Sequence, residues 1–427
     1  MRVAMISVHS SPLATLGGKE AGGMNVYVRE LARELGGRGI PVDIFTRTQQ
    51  RSLPTIQPIA CGVRVINLHA GPAAPYDKNW ILTYLPEFVN RVRCFADGED
   101  IAYDVIHSHY WLSGEAALRL RRSWDTPVVH MFHTLGAMKN SVARSKEETE
   151  SSVRIALERR LMHEVDAVVA ATPLDRAQMV WNYGADAEWI RVIPCGVDLN
   201  RFQPMDQALA RARLDLPTNE RLLLCVGRME PLKGMDALIR ALALLQANEQ
   251  PWAAQLKVLL VGGEPEDRPH AWNSEQRRLD ALRRELGVAE RVRFVGAQGQ
   301  DLLPAYFAAA AVVAVPSHYE SFGMVALEAM AAGAAVVASK AGGLALTIED
   351  GRSGLLFPVD DHQALAHLLA HLLDHPDEAA RLRDAARARA AEFGWGTIAR
   401  RISGLYAEQI DLRRAARTAR RPTAQVS

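Results

Sequence analysis

Short apolar runs alternate with amphipathic stretches along nearly the whole chain. In its first half, 2–8, 42–46, 63–68, 103–108, 127–132, 167–171 and 189–193 read as strands. Stretches 24–35, 114–122, 154–163 and 173–183 carry apolar residues at helical spacing. The segment 201–220 turns polar and holds Pro204 and Pro217. The alternation then restarts, with strands at 222–227, 257–262, 292–295, 311–315, 335–338 and 354–357. Helices fit 235–245, 274–286, 302–310, 324–332, 364–373 and 378–392. Continuous apolar strands alternating with helices predict parallel sheets covered on both faces. Two such series predict an α/β protein of two doubly wound, Rossmann-like domains facing across a cleft. The expected divisions are 1–200, 201–394 and a last stretch, 395–427, made of a helix and a basic tail. Ligands of such sheets bind beyond the carboxyl ends of the strands, so the loops that follow strands are where chemistry is expected.

Composition narrows the class. Of 427 residues, 48% are hydrophobic and 23% charged, which excludes a disordered or fibrous chain. The net charge of +1 supplies no global field for nucleic acid or membrane. Only seven cations are lysines (Lys19, Lys78, Lys139, Lys146, Lys233, Lys257 and Lys340), so a lysine in a glycine-rich loop stands out. Cys61, Cys94, Cys195 and Cys225 are scattered without a C-x-x-C pair, which suggests buried thiols in a reducing compartment. The apolar start of the chain is too short for a signal peptide. The uncharged run 302–319 contains Pro304 and Pro316 and reads as a buried helix followed by a strand, not a membrane span. A cytoplasmic location is expected. Trp111, Trp181, Trp189 and Trp252 read as packing residues. The basic tail (Arg413, Arg414, Arg417, Arg420, Arg421) reads as a solvated terminus, since it lacks aromatics and a wider basic patch.

Three strand-end loops carry candidate chemistry. The first, from His9 to Asn25, contains Gly17, Gly18, Gly22 and Gly23 and leads into a helix, which suits an anion at a helix N-terminus. It is neither a P-loop, because Glu20 follows Lys19, nor the dinucleotide fingerprint. The second, Gly227-Arg228-Met229-Glu230-Pro231-Leu232-Lys233-Gly234, places two cations before another helix and suits a diphosphate. The third, 316–329, holds Glu320 in a loop and Glu328 in an apolar helix. A carboxylate there is costly without a partner. Eight helical residues rise about 12 Å, too far for a glycosidase pair but suited to gripping two ends of one ligand. His107, His109, His130 and His133 read as hydrogen-bonded core or cleft histidines, with no third metal ligand apparent. Asp360-Asp361 reads as a helix cap.

The order His9…Gly22-Gly23, Gly227-Arg228-x4-Lys233-Gly234 and Glu320-Ser321-Phe322-Gly323-x4-Glu328 resembles the retaining nucleotide-sugar glycosyltransferases of family 4, of GT-B fold, over nearly the whole chain. Around 21–28 it is most similar to the branch that moves N-acetylglucosamine from UDP to inositol 3-phosphate, and more loosely to sucrose-phosphate synthases. The resemblance implies a UDP-sugar co-substrate, a phosphorylated polyol or sugar acceptor, no required cofactor and no metal ligands, with metal dependence left open. A homodimer is compatible with it. It further implies that Arg228 and Lys233 hold the diphosphate, Glu328 the ribose, Glu320 and His133 the donor sugar, with Gly23 and Gly323 beside the donor. His9, Asn25, Lys78, Tyr110, Thr134 and Arg154 would hold the acceptor. The departures are Lys19-Glu20 and the segment 137–150, both on the acceptor side. The competing class is a non-catalytic two-lobed nucleotide-sugar-binding protein, since fold alone does not fix function.

Overall fold

A computed structural model of the protein describes residues 1–14, 22–48, 50, 52–72, 80–247 and 250–420. Its first sheet contains β1 (Val3–Ile6), β2 (Val42–Thr48), β3 (Ile56–Ala60), β4 (Val63–His69), β5 (Val105–His109), β6 (Val128–Met131), β7 (Ala167–Ala170) and β8 (Ile190–Val192), in the order β3-β4-β2-β1-β5-β6-β7-β8. Every pairing is parallel except β3 with β4. The second sheet contains β9 (Arg221–Val226), β10 (Leu256–Val261), β11 (Val292–Gly296), β12 (Val312–Val315), β13 (Val336–Ser339) and β14 (Leu355–Phe357), all parallel, in the order β11-β10-β9-β12-β13-β14. Central strands such as β1, β6, β12 and β13 are buried at every residue, as parallel strands covered on both faces must be.

The thirteen strand segments expected from the pattern correspond to all of these except β3. Its Pro58 cannot donate to a ladder, and the strand sits at the sheet edge, where that loss is tolerated. The helix Ile81–Gly98, with Pro86 inside it, lies outside the elements expected from the pattern. Its apolar residues Ile81, Leu85, Phe88, Val89, Val92 and Ala96 nonetheless bury one face at helical spacing. A short helix, Gln207–Arg213, occupies part of the polar stretch between the sheets. Two other readings change. Trp111 and Trp252 are core, but Trp181 and Trp189 are exposed, and Cys61 and Cys94 are exposed while Cys195 and Cys225 are buried. No helix among the described residues is long and apolar enough to cross a membrane.

The chain passes between the sheets twice, and the two crossings lie side by side. Val197 N–H donates to the Phe393 carbonyl at 2.9 Å, and Trp395 N–H to that of Val197 at 3.3 Å. Beyond the second crossing the helix Trp395–Arg420 packs on the helix Gly23–Gly37, with Trp395 edge-on to Tyr27 at 5.4 Å. Its buried face is Trp395, Ile398, Ala399, Ile402, Leu405, Tyr406 and Ile410. Part of the basic tail is therefore not free: Arg413 and Arg417 both clasp Asp125, the left-handed residue ending the helix Trp111–Trp124.

Gly196 lies in the first crossing, where a Cβ would stand 2.5 Å from the Trp395 ring. Gly196→Ala is expected to lower unfolding stability by about 1–3 kcal/mol, the cost of overpacking a filled site. Urea denaturation checks this through a lower midpoint at unchanged slope.

Candidate functional site

In each sheet the order of the parallel strands reverses at a central pair, β1 and β5 in the first and β9 and β12 in the second. Both reversals open at carboxyl ends, and the loops leaving them line one cavity of about 310 Å³ between the lobes. His9 follows β1, Tyr110 follows β5, and His133 and Thr134 follow β6. Gly23 and Asn25 begin the helix Gly23–Gly37, and Arg154 lies on the helix Ser152–Glu164. From the second lobe come Arg228 and Lys233 after β9, Glu320 and Gly323 after β12, and Glu328 on the helix Met324–Ala331. All of these line the cavity. Lys78 lies outside the described residues, as do Lys19 and Glu20.

The cations already have carboxylate partners. Lys233 Nζ donates to Glu320 Oε2 at 2.6 Å, and Arg228 lies 2.6 Å from Glu230 Oε1. Both pairs are partly exposed, so they are screened and cheap to exchange for a ligand anion. Gly22 and Gly23 approach them from the other lobe: a Cβ on Gly22 would lie 3.4 Å from Arg228 Nε, and one on Gly23 3.1 Å from Met324 Sδ. An anion held by Arg228 and Lys233 would thus lie beside the N-terminus of the helix Gly23–Gly37. Glu328 is buried, and burial pushes its carboxyl up to about 8 despite the hydrogen bond from Gln300 and the charges of Arg201 and Arg29.

Two cavity-lining, non-glycine residues of the first lobe hold positive φ, Tyr110 at 73° and His133 at 61°. Such conformations cost of order 1–3 kcal/mol and persist where the surroundings enforce them. Tyr110 is enforced by its N–H bond to the Met131 carbonyl, by the tilted His9 ring at 4.2 Å and by the Arg154 guanidinium 4.8 Å over its ring. Arg154 is fully buried. It donates to Glu158 Oε1 at 2.7 Å and to the carbonyl and hydroxyl of Thr134, and it lies 2.8 Å from Glu150. Much of its charge is therefore already matched inside the protein. Asn25 is likewise committed: its amide donates to Ser10 Oγ and the Ser11 carbonyl and accepts from Gly22 N–H.

Lys139 also lines the cavity, paired with Glu150, and sequence reasoning did not single it out. Its signal was the scarcity of lysine, hidden by its place in the divergent 137–150 segment. Arg144, from the same segment, crosses to Asp360 and Asp236 on the second lobe. Asp361, not Asp360, caps the following helix. A third crossing joins Ser321 Oγ to the His133 carbonyl at 2.8 Å. Behind His133 the buried histidines form a chain. His133 Nε2 meets His109 Nδ1 at 3.0 Å, the His109 and His107 rings lie 4.2 Å apart, and His107 Nδ1 meets the Tyr406 hydroxyl at 2.6 Å. Among the described residues no group of three or more His, Cys, Asp or Glu side chains is arranged to hold a metal ion.

Two family models divide the chain between them. Residues 21–201 match "Glycosyltransferase Family 4" and residues 206–389 match "Glycosyl transferases group 1". The chain is 42% identical to a D-inositol 3-phosphate glycosyltransferase of Acidothermus cellulolyticus, over 98% of this chain and 93% of that protein. The chain belongs to glycosyltransferase family 4. A second relative, D-inositol 3-phosphate glycosyltransferase 2 of Catenulispora acidiphila, is 41% identical over 97% of each chain. Among solved structures, sucrose-phosphate synthase from Thermosynechococcus elongatus superposes with a TM-score of 0.87 at 36% identity, covering 96% of this chain and 99% of that one. This glycosyltransferase therefore has the two facing parallel-sheet domains of the GT-B fold.

The histidine chain makes the fold acid-sensitive. Burial holds His107 and His109 far below their ordinary value and pushes His130 and His133 down to about 3. An unfolded histidine takes up its proton near 6.5, so the stability from these four groups is complete above that pH and is lost as pH falls from 6.5 toward 3. Asp175 and Glu328, with carboxyls raised to about 6 and about 8, act with the opposite sign but are two against four. Melting temperature is expected to drop steadily between pH 6.5 and 5. A flat profile over that window contradicts the neutral histidine chain.

Proposed function

We propose that this glycosyltransferase moves a hexosyl or N-acetylhexosaminyl group from a UDP-sugar to a phosphorylated polyol such as an inositol phosphate, with retention at the transferred carbon. The observation that carries the reading is that Arg228, Lys233, the start of the helix Gly23–Gly37 and the buried Glu328 all line one interlobe cavity. A nucleoside diphosphate needs those groups together: cations and backbone N–H for the diphosphate, a carboxylate for two ribose hydroxyls.

In this reading the leaving diphosphate gains charge as the glycosidic bond breaks, and Arg228 and Lys233 stabilise it. Glu320, displaced from Lys233 by the diphosphate, turns to the donor sugar beside His133. The acceptor hydroxyl attacks from the face the diphosphate leaves, and a diphosphate oxygen takes its proton. No protein nucleophile is required. No metal enters the scheme.

The acceptor lies on the first lobe, among His9, Tyr110, Thr134 and Lys139, and the family resemblance adds Lys78 to its phosphate contacts. Support for a phosphate comes from the relatives' names, inositol 3-phosphate in one set and sucrose-phosphate in the other. The similarity to sucrose-phosphate synthase favours a second reading, a sugar phosphate as acceptor. A screen of UDP- and GDP-sugars against phosphorylated polyols and phosphorylated sugars separates the two.

Arg228→Ala and Lys233→Ala are each expected to lower turnover by about two to three orders of magnitude, the loss typical of one oxyanion donor. Near-normal kcat at saturating donor rejects the diphosphate role.

A phosphorylated acceptor is expected to be used far better than its dephosphorylated form. Lys139→Ala and Lys78→Ala are each expected to raise acceptor KM about tenfold to a hundredfold with UDP affinity unchanged, since a charged hydrogen bond contributes about 1.5–3 kcal/mol. Arg154→Ala is not an equivalent test. It strands Glu158 in the core, and breaking such a pair costs about 3–5 kcal/mol of stability. Equal use of the two acceptor forms by the wild type overturns the phosphate assignment.

A further inference from the structure

Gln300, in the loop after β11, joins three parts of the molecule that no sequence motif links. Its Oε1 accepts from Arg29, on the first-lobe helix Gly23–Gly37, and from Arg201 NH1 at 3.0 Å, in the segment between the sheets. Its Nε2 donates to Glu328 Oε1 at 3.2 Å. Gln300 and Glu328 are both buried. Glu30 completes the cluster, 2.9 Å from Arg29 and 3.4 Å from Arg201.

The amide has no freedom to turn over. Two guanidinium groups on one side demand its oxygen, and the carboxyl on the other side is served by its NH2. One oxygen of Glu328 is thereby held by the amide, which fixes the carboxyl where it lines the cavity. Arg29 reaches this arrangement only when the first lobe lies against the second. We propose that Gln300 is a positioning residue for the nucleotide grip of Glu328, and that Arg29 sets it from the opposite lobe, so that ribose recognition depends on interlobe contact.

The proposal rests on the reading of Glu328 as the ribose-binding carboxylate, and the test separates the two. UDP and 2′,3′-dideoxy-UDP, which lacks both ribose hydroxyls, are titrated by calorimetry into wild type and the variants Glu328→Gln, Gln300→Leu, Arg29→Met and Arg29→Lys. Circular dichroism checks each fold. The wild type is expected to prefer UDP by about tenfold to a hundredfold, and Glu328→Gln to lose most of that ratio. Gln300→Leu and Arg29→Met are expected to shrink the ratio to about threefold or less while binding dideoxy-UDP as the wild type does. Arg29→Lys, which keeps a donor to Oε1, restores part of it. A purely structural role weakens both ligands alike and leaves the ratio intact, which overturns the proposal. A wild-type ratio near one overturns the ribose reading and the proposal with it. A ratio lost in Glu328→Gln but kept in both Arg29→Met and Gln300→Leu overturns the proposal alone.

Discussion

The second lobe's half of the site depends on backbone lying directly against backbone. Gly234 ends the Arg228–Lys233 loop at φ 61°, and a Cβ there would stand 2.0 Å from the Pro316 carbonyl oxygen. Gly342, after β13, is at φ 50°, with its Cβ position 2.1 Å from the Glu320 carbonyl oxygen. Only a residue without a side chain permits either contact. Backbone hydrogen bonds then tie the loops together, His318 N–H to the Leu232 carbonyl and Gly343 N–H to that of Glu320. Lys233 and Glu320 are separated by many residues in sequence, yet this packing holds their side chains within 2.6 Å.

Charge is balanced locally throughout the cleft. Each cavity cation has a carboxylate beside it: Glu320 for Lys233, Glu230 for Arg228, Glu150 for Lys139 and Glu158 for Arg154. The pairs differ in burial, and that difference sorts their roles. Arg154 and Glu158 are both fully buried, so they form a fixed structural pair whose separation is expensive. Lys233 and Arg228 remain partly exposed, so exchanging their carboxylate partners for another anion costs little. The lobes themselves meet through polar contacts, Ser321 to His133, Arg144 to Asp360 and Arg29 to Gln300. Polar contacts of this kind suit surfaces that separate and rejoin.

Much of the fold was legible because parallel strands are buried on both faces and so appear as uninterrupted apolar runs. The edge strand β3 does not follow that rule, because it pairs antiparallel and none of its residues is buried. The tryptophans show the limit of composition: Trp111 and Trp181 look alike in sequence, but one lies in the core and the other is largely exposed. The basic tail likewise reads as solvated by charge alone, whereas Arg413 and Arg417 are held by Asp125, nearly three hundred residues earlier.

Sequence alone determined the two sheets, the strand-end loops that line the cavity, and the residue types suited to a nucleotide diphosphate. These are local properties: apolar runs, helix starts, glycines beside cations. Tertiary structure decided which of those residues are free to act. Asn25 is spent on its own loop and Arg154 on Glu158, while Lys139 and Gln300, which belong to no motif, enter the cavity. The reason is that a side chain's partners are chosen by chain segments far away in sequence. Only the folded packing sets those distances, and the energy of a charge depends on them.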